Sequence, residues 1–127
     1  MSDEVELSVP ARPELLSLAR LTVAAVASRA DFAYEEIEDL RLAIDELCSP
    51  LVGHNGRKGH LRLRYRWDEM SIEVSCQVDG PDDGDLGDEE NELSDRILDA
   101  LVDEHGSRVD GGSRHVWLRK RRHGAAS

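Results

Sequence analysis

Few residues in this chain have both the type and the spacing that chemistry requires. His54, His60, Cys48, His105 and His115 are separated by intervals that match no zinc-ligand pattern, so no metal site is expected. Asp83-Gly84-Asp85 is too short a match to the Asp-x-Asp-x-Asp-Gly run of a calcium loop. Cys48 and Cys76 form no C-x-x-C pair and read as reduced core thiols. Arg62, Arg64 and Arg66 alternate along one stretch, which puts three guanidinium groups on one strand face. Such a face suits an anionic ligand or an acidic protein surface, or a solvated face paired with residues such as Glu73. Arg119 and Arg121 join it if the last strand lies nearby.

Charge is distributed in blocks. Nine acidic residues and no Lys or Arg fall between Asp79 and Asp95, whereas Gly53–Trp67 and Ser113–Ser127 each hold five basic residues and no acidic one. The formal net charge of −11 argues against general nucleic-acid binding. The acidic block has no core-forming pattern up to about Asn91 and reads as a solvated mobile loop, with a basic protein surface as its alternative use. The 127 residues suit one domain spanning 1–127. No apolar run has the length of a membrane helix, and the acidic Met1-Ser2-Asp3-Glu4 start lacks a signal region. A cytoplasmic protein without membrane contact is expected.

The elements that must position these groups follow from periodicity. Val5, Leu7 and Val9 alternate as in a half-buried strand. Leu15, Leu18, Ala19, Thr22 and Val26 recur at helical spacing, so a helix over Pro13–Arg29 is predicted, with Pro13 in its first turn. Asp31 caps the next helix or sits in the linker. Ile37, Leu40, Ile44, Leu47 and Leu51 mark an amphipathic helix over Tyr34–Ser49, stopped or kinked at Pro50. Leu61, Leu63, Tyr65 and Trp67, then Met70, Ile72, Val74, Cys76 and Val78, alternate around Asp68-Glu69 as a hairpin. Leu93, Ile97, Leu98, Leu101 and Val102 predict a third helix ending near Gly106, and Gly111-Gly112 turns into a last strand over Arg114–Arg121. This order predicts an α/β (α+β) two-layer sandwich, with three helices on one face of an antiparallel or mixed sheet.

Three stretches carry a family resemblance. Val5-Glu6-Leu7 through Ala11-Arg12-Pro13-Glu14 with Ala19-Arg20-Leu21-Thr22-Val23-Ala24-Ala25, then Ile37-Glu38-Asp39-Leu40-Arg41-Leu42-Ala43-Ile44-Asp45-Glu46, and Leu98 through Glu104 with Gly111-Gly112 resemble the bacterial anti-sigma serine kinases. These belong to the histidine-kinase-like ATPase superfamily. The resemblance implies that fold, a homodimer, and a stress-response regulator that holds a sigma factor inactive until an anti-anti-sigma protein competes. It also implies that Arg20 contacts the sigma factor and that Glu46 stands at the general-base position.

The family's nucleotide motifs are degenerate at the matching positions. The magnesium-binding Asn is Pro50, which has no side-chain oxygen. The adenine-reading Asp is Val78, the two glycines after it are Gly80 and Asp82, and the phosphate-wrapping glycines are Glu92 and Ser94. Nine carboxylates would surround a triphosphate, at a cost on the order of 1 kcal/mol per like-charge contact in water. The expected protein is therefore an anti-sigma-like binder without cofactor, metal or direct nucleic-acid contact. An active serine kinase with a diverged pocket is the alternative, and a small-ligand sensor that reuses the pocket is the third reading.

Overall fold

A computed structural model describes residues 3–53, 55–79, 88–110 and 113–123. Five strands form one sheet: β1 Asp3–Pro10, β2 His60–Trp67, β3 Ser71–Val78, β4 Glu104–Asp110 and β5 Ser113–Arg121. Their order is β1-β2-β3-β5-β4 and every neighbouring pair is antiparallel. The three helices are α1 Leu16–Arg29, α2 Tyr34–Val52 and α3 Asp88–Leu101, with a 3-10 turn at Pro13–Leu15 leading into α1. The structure is thus α+β, and its sheet is antiparallel throughout.

Alternation decides which sheet face is buried. Leu61, Leu63 and Tyr65 are buried on β2, and Arg62, Arg64 and Arg66 between them are exposed. Leu7, Leu63, Cys76 and Val116 stand side by side across four strands, as do Val5, Tyr65, Val74 and Leu118. Ala19, Val23, Val26 and Ala27 of α1 and Leu40, Ala43, Ile44 and Leu47 of α2 complete this core. Tyr65 is fully buried, and its hydroxyl donates to the Ala19 carbonyl at 3.0 Å, tying α1 to the sheet.

The structure corrects three sequence expectations and decides between the two readings of Asp31. Pro50 does not stop α2, which continues to Val52 and ends at Gly53 in the left-handed region (φ 75°). Leu51 and Val52 are both buried, so packing of the last turn outweighs the hydrogen bond that Pro50 cannot donate. Asp31 sits in the α1–α2 linker at φ 64°, and the Glu36 carboxylate takes the Ala33 amide at 2.9 Å in the first turn of α2. Helix α3 starts at Asp88, inside the stretch expected to be loop, and ends at Leu101, before Gly106. Gly106 instead lies within β4, a strand absent from the sequence reading. Gly80, Asp82, the Asp83-Gly84-Asp85 run, His54 and the Gly111-Gly112 turn lie outside the described residues.

Candidate functional site

Helix α2 carries the side chains on which two separate constellations depend. Its turn at Asp45-Glu46 points Asp45 toward α1 and Glu46 toward α3, as their contacts establish. Ser94 of α3 donates its hydroxyl hydrogen to Glu46 Oε2 at 3.0 Å. One turn further along α2, Pro50 joins Glu46 in lining a pocket of about 320 Å³ between α2, α3, β4 and β5. Leu47, Pro50, Leu98 and Val116 form its apolar lining, and Glu46, Ser94, Asp95, His105, Ser107 and Arg114 supply polar groups. His105 Nε2 lies 2.6 Å from Asp99 Oδ1, and this pair fixes the β4 side of the pocket to α3.

Three positions that the family resemblance singled out, Glu46, Pro50 and Ser94, therefore meet at one pocket. The others do not. Val78 is buried at the end of β3 opposite Leu61, with an apolar side chain that contributes to the core. Glu92 is exposed on α3 and is absent from the pocket lining. Glu92 and Ser94 lie beyond the first four residues of α3, where helical amides bond to carbonyls four residues back. A loop whose amides wrap phosphate needs those N–H groups turned outward.

The second constellation joins α1 and α2. Arg20 Nη1 donates to Asp45 Oδ1 at 2.6 Å, with both side chains about one third exposed. Leu21 beside it is 61% exposed, and Leu42, one turn before Asp45, is 57% exposed. Sequence reasoning singled out Arg20 but not Asp45. The two are 25 residues apart, and only the antiparallel packing of α1 on α2 brings them together.

The basic strand face is neutralised locally. Arg62 reaches Asp79 at 3.0 Å, Arg64 reaches Glu6 at 3.0 Å, and Arg66 reaches Glu4 at 3.5 Å. Glu73 stands between Arg66 and Arg119 in the strand register, and Glu104 lies within 4.0 Å of both Arg119 and Arg121. These contacts make a solvated, charge-balanced face, the second of the two readings open for it. Cys48 and Cys76 are buried thiols with their sulfurs 3.7 Å apart. Burial raises the Cys76 thiol pKa, and the contact with Cys48 raises it further. Among the described residues, no group of three His, Cys, Asp or Glu side chains is placed to hold a metal, and no helix is long and apolar enough to cross a membrane.

The model of the histidine kinase-like ATPase domain matches residues 9–120. This range takes in all three helices and the pocket, and only the last two residues of β1. The chain belongs to the histidine-kinase-like ATPase domain family. Within this family it resembles the serine-protein kinase RsbW of Bacillus subtilis, 38% identical over 82 residues, which cover 62% of this chain and 51% of that protein. The serine-protein kinase RsbW of Bacillus licheniformis is 31% identical over 107 residues, covering 81% of this chain and 66% of that protein. The protein of that name from Listeria innocua is 39% identical over 83 residues, covering 63% and 53%. The chain thus spans about half to two thirds of the length of these curated relatives.

Proposed function

We propose that this family member is an anti-sigma regulator that works by binding. It holds an alternative sigma factor inactive through the surface around Arg20, and an anti-anti-sigma protein releases that factor by competition. It acts in the cytoplasm as a homodimer. The similarity to RsbW serine-protein kinases supports the family role. The observation that carries the loss of nucleotide chemistry is the Glu46–Ser94 contact, because α3 occupies with regular helix the positions at which the family presents its phosphate-wrapping loop.

Pro50 adds to this reading, since a side chain without oxygen cannot ligate magnesium. Glu46 then has no bound nucleotide beside it and serves as an acceptor for Ser94. Titration calorimetry of the purified chain with ATP and ADP, magnesium present, tests the reading. No heat up to high micromolar nucleotide is the expected result. Micromolar affinity would overturn it.

The kinase reading has two supports, the name shared by the relatives and a carboxylate at position 46. It requires transfer of phosphate from ATP to a serine hydroxyl on an anti-anti-sigma protein. Incubation with labelled ATP and such a protein should leave it unlabelled.

A further inference from the structure

The Arg20–Asp45 pair bridges two antiparallel helices on their solvent side. Its 2.6 Å contact uses Nη1 of a guanidinium that carries five N–H donors in a planar fork. Among the described residues, Asp45 is the one side chain that bonds Arg20. One edge of the fork is thus held by α2, and its remaining donors are available to an acceptor outside the chain. A partly exposed ion pair of this kind adds little stability on its own. It does fix the direction in which a flexible side chain points.

The surroundings define what fits there. Leu21 follows Arg20 on α1, and Leu42 precedes Asp45 by one turn on α2, both more than half exposed. Exposed leucines scattered singly are ordinary. Here two of them stand beside an oriented cation, Leu21 on α1 and Leu42 on α2. A partner segment with apolar side chains and a carboxylate matches this ridge, since a carboxylate bonds guanidinium donors in a fixed, charge-assisted geometry.

Resting on the reading of Arg20 as the partner contact, we propose that Asp45 is the positioning residue for that contact and that Leu21 and Leu42 form the apolar flanks of the same docking ridge. Asp45 holds Arg20 across the α1–α2 seam, so the partner's carboxylate meets a guanidinium already in place. The occupant is an acidic and apolar segment of the sigma factor.

The test uses the full chain and each alternative sigma factor of its source organism, purified, with affinities measured by biolayer interferometry. Wild type, Arg20→Ala, Asp45→Asn and the double variant are compared, with thermal unfolding to confirm that all are folded. Asp45→Asn keeps the shape and removes the charge. It should weaken binding about threefold or more in the wild-type background and have little effect in the Arg20→Ala background, because the two act as one unit. Leu42→Ser should weaken binding with no dependence on Arg20. Wild-type affinity for Asp45→Asn beside a weakened Arg20→Ala would remove Asp45 and leave the role of Arg20 standing. An equal loss from Asp45→Asn in both backgrounds would mean direct contact with the partner and would overturn positioning. Binding of no sigma factor by the wild type, or unchanged affinity for Arg20→Ala, would sink the underlying reading and this inference with it.

Discussion

Ser94 on α3 and Glu46 on α2 meet at 3.0 Å, and both line the pocket between α2, α3, β4 and β5. The contact crosses from one helix to another and joins positions 48 residues apart. Ser94→Ala removes the donor and leaves a partly buried carboxylate oxygen without it. The expected loss of stability is about 0.5–1.5 kcal/mol, read from the urea midpoint. Neither Ser94→Gly nor Pro50→Asn should create nucleotide binding, because the helix around residues 92–94 remains. Calorimetric heat from either variant would contradict this.

Gly106 and Trp117 form a second close pair. A Cβ placed on Gly106 would stand 2.7 Å from Trp117 Nε1 and 2.9 Å from two ring carbons. The two residues are register partners on β4 and β5, so the indole lies against the bare backbone of Gly106. Gly106→Ala should therefore displace the ring and destabilise the protein by about 1–3 kcal/mol. The accompanying change in tryptophan fluorescence identifies the cause. Trp117→Ala should relieve most of the penalty of Gly106→Ala.

Asp68 gives the β2–β3 turn a pH dependence. Its carboxylate accepts the Met70 amide at 2.8 Å and the Ser71 amide at 2.9 Å, and these two bonds hold its pKa below the ordinary value. A lowered folded pKa means that the carboxylate form stabilises the fold above the unfolded pKa, and that this contribution fades as pH falls through the folded value. Asp68→Asn should therefore be less stable than wild type near neutral pH. The difference should shrink below about pH 4, as followed by urea unfolding across the acid range.

The two thiols should be chemically silent in the folded protein. Both are buried, and the raised Cys76 pKa keeps the reactive thiolate scarce. A water-soluble maleimide should label neither Cys48 nor Cys76 until denaturant is added, and both afterwards. Rapid labelling of the native protein would mean that α2 opens from β3 far more readily than this packing implies.

Much of the fold was legible because its core obeys simple periods. The β2–β3 hairpin alternates cleanly, and α2 repeats its apolar residues at three and four. Strand β4 was invisible for a physical reason. Between Glu104 and Asp110, Val109 is the one large aliphatic residue, and Gly106 gives up its side chain to make room for Trp117. The beginning of α3 was hidden by its polar run, since among the described residues of that helix Leu98 alone is fully part of the buried core. Pro50 misled in the opposite direction, because a local rule about donors yielded to burial of Leu51 and Val52. At the candidate site, Arg20, Glu46, Pro50 and Ser94 could be singled out by resemblance. Asp45, and the meeting of Ser94 with Glu46, could not, because no local spacing encodes which helix packs against which.

The sheet order also bears on how this chain folds. Strands β2 and β3 are joined by a tight turn, and β4 and β5 are neighbours in both sequence and sheet, so each pair closes over a short span. Strand β1 must wait for β2, which lies beyond both α1 and α2 in the chain. That closure carries the largest loop entropy among the four strand pairings and raises the contact order of the whole domain. The contact between Arg20 and Asp45 lies inside the segment that this closure encloses, so α1 and α2 together make up most of the longest loop that strand pairing has to close.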